Sequence, residues 1–215
     1  KATGIPTNRM LISATHTHSA PAAMGCLGTD ADERYARFLP GRIARGIQLA
    51  QKNLEPAQIG WAKSRDPKNI FNRRWLMKEG TARTNPFSGK KNDRAQMNPG
   101  FNNPNKIKQT GTVDDEVWVV SVRSKEGRPI ALLANYSTHY AGSPALSSDY
   151  FGAFAEKMGK LLDADAQEGK PAFVGIMSNG TSGDTNCIDF TRTSPRKFDF
   201  HSVAEDTARA AFEAY

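Results

Sequence analysis

Residues 128–142 read RPIALLANYSTHYAG, and the change of character within that stretch decides the fold. From Ile130 to Ala134 the run is apolar, and within a few residues it turns polar and reaches His139. A continuous apolar run of this kind is what a strand buried on both faces looks like. Upstream, DEVWVVSV (115–122) is separated from it by RSKEGRP, a charged turn with Gly and Pro, which predicts an antiparallel hairpin. Downstream, PAFVGIMSNGTSGD (171–184) repeats the design and passes into an Asn-Gly and Ser-Gly loop. Near the start, RMLISATHTHS (9–19) places Met10, Ile12, Ala14, His16 and His18 on one face if its period is two. These strands predict an α/β domain with a mixed central sheet flanked by helices and incomplete at both ends.

Helical patterns lie between the strands. After TDADE, Tyr35, Phe38, Ile43, Ile47, Ala50 and Leu54 mark one helix, which Pro40 is expected to kink or divide. After SSD, Phe151, Phe154, Ala155, Met158, Leu161 and Leu162 mark a second, and an Ala-rich third is expected from about Ser202. The chain ends inside that pattern without a stop signal, so residues 1–215 read as one partial domain of a longer protein.

A chain of 215 residues, 38% hydrophobic and 24% charged, can build a sizeable core. It holds no apolar run of the length a membrane-spanning helix needs, and its first residues, KATGIPTNRM, lack the features of a signal peptide. The net charge of +7 is concentrated: residues 63–110 carry 12 basic and 3 acidic side chains, leaving the rest slightly acidic. That segment is rich in Asn, Pro and Gly and reads as a long loop excursion, about 63–110, not as the basic helix or sheet face that reads nucleic acid. No nucleic-acid partner is expected. The two cysteines, Cys26 and Cys187, make no disulfide framework; a bridge between them stays open beside two unpaired buried thiols.

The strand ends carry the chemistry. THTHS, YSTHY and SNGTSGDTN each follow an apolar run, and in open α/β sheets ligands collect at that edge. His16, His18 and His139 are three of only four histidines. Two readings stand side by side: hydrogen-bonded structural imidazoles, or nitrogens of a catalytic zinc site, which takes about three protein ligands and keeps one position open. His201 has no such context and reads as a capping or surface residue. Asp149 and Asp184 are the acidic candidates. The loop SNGTSGDTNC offers Ser178, Thr181, Ser182 and Thr185, either to hold an oxyanion or nucleophile or to satisfy its own turn.

ATHTHSAPA, FNRRW, ANYSTHYAG and SNGTSGDTN, in this order, resemble the amino-terminal catalytic domain of the neutral/alkaline non-lysosomal ceramidases. That resemblance implies a zinc cofactor held by two histidines, a glutamate and a tyrosine, whose activated water cleaves the amide of an N-acyl sphingosine. It implies His16 and His139 as metal ligands, His18 and Arg73 as catalytic groups facing the carbonyl, Arg74 as a weaker candidate, and Asn72, Ser178 and Asn179 as substrate contacts, with Asp184 and Asn186 in the catalytic loop. It also implies a small-molecule or lipid substrate, a secreted or periplasmic location, and glutamate and tyrosine ligands beyond this chain's end. The sequence departs from the family at the serine of its active-site loop, where Asn186 stands; an asparagine can donate a hydrogen bond but cannot be a nucleophile. Two alternatives remain: a non-catalytic binding module for an acidic glycan or lipid head group, and a metal-dependent phosphoesterase.

Overall fold

The computed structural model describes residues 3–26, 28–164 and 169–215. After a short 3-10 turn at Thr7–Arg9 comes helix α1 (Glu33–Lys52), capped by Asp32, whose carboxylate accepts from the Tyr35 N–H. It runs unbroken through Pro40, so the expected division does not occur. There follow β1 (Ala57–Arg65), β2 (Phe71–Asn72), β3 (Arg74–Met77), β4 (Ala95–Met97), β5 (Lys106–Gln109), β6 (Glu116–Ser124), β7 (Pro129–Tyr136), α2 (Asp149–Leu161), β8 (Val174–Asn179), β9 (Thr185–Asn186) and α3 (Phe200–Ala214).

The main sheet has the order β1-β6-β7-β8, antiparallel except for the parallel pair β7–β8, so it is mixed as the hairpin signal required. The β6–β7 turn closes through Ser124 N–H to Arg128 O and Gly127 N–H to Ser124 O, with Gly127 at φ 90°, which a side chain would resist. A parallel neighbour needs a crossover. Here α2 supplies it, laying Phe151, Phe154 and Met158 on the sheet.

Period-two alternation selects the packed face: Val117 and Val119 of β6, Leu132, Ala134 and Tyr136 of β7 and Met177 of β8 are buried, and α3 completes this core with Val203, Ala204, Ala208 and Ala211. The opposite face is open, with Leu133, Val174, Ile176 and Trp61 all exposed, the last at 73%. The apolar run in β7 is therefore covered by helices on one side among the described residues, not on both. Helix α1, which has no buried residue, turns its apolar stripe toward Met10, Ile12 and Ala23 instead.

Two further sequence expectations fail. Residues 10–18 form no strand: Leu11 is 95% exposed and Ile12 is exposed. The left-handed backbone of His16, φ 58°, breaks any period-two alternation before His18. Nor is 63–110 a bare loop. It contains the end of β1 and a three-stranded sheet, β4-β3-β5, over a small second core of Trp75, Met77, Ala82 and Phe190. Both thiols are free; Cys187 is buried but Cys26 is exposed.

Candidate active site

The site lies where β7, β8 and β2–β9 end. Asn72 pairs with Thr185, and Phe71 with Asn186, so two short strands join residues 71–72 to the glycine loop. Asn72 then turns the chain: its Oδ1 accepts from the Arg74 N–H at 2.9 Å, its carbonyl accepts from Gln109 Nε2 at 3.0 Å, and its Nδ2 donates to Asp184 Oδ2 at 3.3 Å. Arg73 falls at the break between the β2–β9 pair and β3. Its N–H donates to Asp184 O at 2.7 Å, and its Nε and Nη2 fork onto Gly183 O at 3.2 and 2.9 Å.

Three imidazoles meet beside this arginine. One ligating atom from each of His16, His18 and His139 lies within 4.8 Å of the others, with His139 buried and the other two exposed. His139 Nδ1–H donates to Ser182 O at 2.7 Å, which fixes the ring and leaves Nε2 for a cation or a substrate. The Nε2 atoms of His16 and His18 are 3.2 Å apart. Two nitrogens on one tetrahedral zinc are separated by about 3.3 Å, given zinc–nitrogen bonds of about 2.0–2.1 Å. The three imidazoles lie close enough together to share one cation, and the spacing of His16 and His18 also fits a hydrogen bond between the two rings. His18 stacks on Tyr140, with ring centroids 3.8 Å apart.

Electrostatics favour the neutral form of His18 and His139. Burial, then the charges of His16 and Arg73, holds His18 below the ordinary histidine value, against a weaker pull from Asp149. Burial does the same to His139, opposed by its bond to Ser182 and reinforced by Arg73 and the other two imidazoles. Burial also lowers Arg73 from the usual arginine value, a range in which the guanidinium stays charged. Neutral imidazole is the form that binds metals.

The loop residues divide. Asn186 is buried, donating from Nδ2 to Asn98 Oδ1 at 3.2 Å and accepting the Ile188 N–H. It lines a cleft of about 90 Å³ with Arg73, Asn98, Tyr140, Ile188 and Phe198. Ser178 is engaged in the sheet, donating to Ala134 O and accepting from Asn135 Nδ2. Asn179 Nδ2 donates to Thr15 O at 3.1 Å, so it anchors the histidine segment. Thr181 and Thr185 satisfy the turn: Thr181 N–H donates to Ser137 Oγ, and Thr185 Oγ1 to Ser137 O at 2.6 Å. Asp149 is committed as well, accepting backbone N–H groups of Ala141, Gly142 and Tyr150, and no carboxylate joins the histidine group among the described residues. His201 is exposed, and the α3 capping box is made by Asp199 and Ser202. Tyr140 and Asn98 were not singled out in the sequence; Tyr140 follows His139 directly, while nothing in the pattern around Asn98 marks it.

No protein-family model and no curated protein matches the sequence. Among solved structures, the chain is similar to a ceramidase complexed with C2, with a TM-score of 0.61 and 15% identity over 93% of this chain and 29% of that one. It is also similar to a neutral ceramidase from Pseudomonas aeruginosa, with a TM-score of 0.46 and 14% identity over 80% of this chain and 25% of that one. The chain thus spans less than a third of the solved proteins it matches, and at such identity the first likeness shows a shared fold.

Proposed function

We propose that this chain carries part of the active site of a zinc-dependent hydrolase that cleaves the amide bond of an N-acyl, lipid-like substrate. The observation that carries the reading is the convergence of His16, His18 and His139, with His139 tethered to Ser182, beside an arginine braced on Gly183. In this reading His16 and His139 hold the cation, which when bound supplies carbonyl polarisation and lowers the pKa of a water to about 7. Arg73 is held by two of its nitrogens, so its remaining N–H groups are oriented to meet negative charge developing on an acyl oxygen. His18, whose burial favours the neutral ring, would face the substrate and is kept in place by its stack on Tyr140. Asn186 forms a wall and a donor of the cleft, and the reaction it permits is attack by water, since the side chain has no nucleophile.

Elemental analysis tests the metal and an acyl panel tests the reaction. About one zinc per chain is expected in the wild type and none in His16→Ala or His139→Ala, with turnover of amides lost in parallel. Folded, zinc-saturated protein that cleaves no amide or ester would overturn the reading. A folded wild type that takes up no zinc would favour the binding module.

A further inference from the structure

We propose that the outer face of the β4-β3-β5 lobe docks on an anionic lipid bilayer, with Phe87 as its inserting side chain. Residues 73–110 hold nine Lys and Arg against only Glu79 and Asp93. The cations just before the lobe are neutralised, Lys63 by Glu116, Arg65 by Asp115 and Lys68 by Asp206. Those on it are not: Arg74, Lys90, Lys91, Arg94 and Lys108 are exposed, and none enters an ion pair among the described residues.

Strand register puts Arg74 and Lys108 on one side. Trp75 and Met77 point into the small core, so Arg74 and Leu76 point out; their partners Met97, Ala95 and Lys108 share that face. A cleft of about 610 Å³ joins Arg74, Arg94 and Met97 to Phe87. Phe87 is 89% exposed, on a well-held turn. Asn85 Oδ1 accepts the N–H groups of Phe87 and Ser88 at 2.9 and 3.1 Å, and Gly89 N–H to Asn85 O and Asn85 N–H to Lys90 O close the base.

A solitary exposed phenylalanine needs no explanation. Phe87 and Met97, exposed beside Arg74 and Arg94, do, because apolar side chains that sink below a plane of Lys and Arg are the composition of a surface that lies on acidic head groups. A polyanionic backbone would use the cations, and a bilayer would in addition bury Phe87 and Met97 together. The lobe also connects to the site: Asn98, the residue after β4, donates its N–H to Arg73 O and lines the cleft with Asn186. Docking would hold that cleft at the lipid surface, where the substrate of a lipid amidase lies. Only this last consequence rests on the proposed activity.

The test is co-sedimentation of the full chain with phosphatidylcholine vesicles, with and without phosphatidylglycerol, at low and raised NaCl. Binding is expected only to the anionic vesicles and should weaken with salt. Lys90→Glu/Lys91→Glu should lower the partition coefficient at least about tenfold, and Phe87→Ala about tenfold with salt sensitivity retained. Both variants should keep wild-type thermal unfolding and zinc content. Folded wild type that ignores anionic vesicles overturns the proposal, and so does a Phe87→Ala variant that binds as wild type does, the result expected of a polyanion site. Vesicle binding without any amide turnover would sink the activity and leave the docking surface standing.

Discussion

Arg73 shows how much a single position is asked to do. Its main chain joins the loop before β9, by donating to Asp184 O, to the end of β4, by accepting from Asn98 N–H, and its side chain spends two donors on one carbonyl, Gly183 O. Lysine has the charge but not the fork. Arg73→Lys is therefore expected to leave zinc content unchanged and lower kcat about 100-fold, the usual consequence of losing one oriented donor at a developing oxyanion. Steady-state kinetics on an amide substrate would check it, and a wild-type kcat would reduce Arg73 to a scaffold residue. The histidines and the Asn-Arg pair were legible because motif order and residue type announce them. Asn98 and Tyr140 were not: one enters through a left-handed turn after β4, the other through a stack on His18, and neither leaves a periodic trace.

At the scale of elements, packing between β8 and α2 decides how closely the crossover helix can approach the sheet. A Cβ added at Gly175 would stand 2.9 Å from Ala155 Cα and 3.1 Å from its carbonyl oxygen, so the neighbour that must yield is helix backbone. Gly175→Ala is expected to destabilise the fold by about 1–3 kcal/mol through overpacking; urea unfolding would measure it, and an unchanged midpoint would mean α2 moves freely. The same contrast of scales explains what the sequence told. Strands β7 and β8 were readable because their apolar runs are unbroken and bounded by turn residues. The segment 9–19 had alternation without a ladder, and its main chain is held by scattered bonds such as Asn179 Nδ2 to Thr15 O and Thr17 Oγ1 to Ser147 O. Strands β2 to β5 escaped because elements of two to four residues carry too little pattern to rise above their Asn, Pro and Gly.

Across the whole molecule the layers are tied by a buried carboxylate that no motif marks. Asp66, one residue past β1 and 3% exposed, accepts from Lys68 N–H at 3.0 Å and Asn69 Nδ2 at 2.9 Å, while its carbonyl accepts the Tyr136 hydroxyl at 2.7 Å. Its Oδ2 also lies 3.2 Å from Thr207 Oγ1 of α3, and that hydroxyl is 2.8 Å from Val203 O. The threonine has one proton. Given to Val203, it leaves a lone pair toward Asp66 that a protonated carboxyl can satisfy and an ionised one cannot. Burial pushes the Asp66 carboxyl above the ordinary carboxylate value in spite of its hydrogen bonds. The folded state then keeps this proton to higher pH than the unfolded chain does, so the stabilisation is complete below the unfolded pKa of about 3.9 and is lost as pH rises through the folded value. Urea midpoints measured upward from about pH 4 should show a component that falls with rising pH in the wild type. Asp66→Asn, which cannot titrate, should lack that component; an identical slope in both proteins would assign it to other groups and leave Asp66 as a hydrogen-bond acceptor alone.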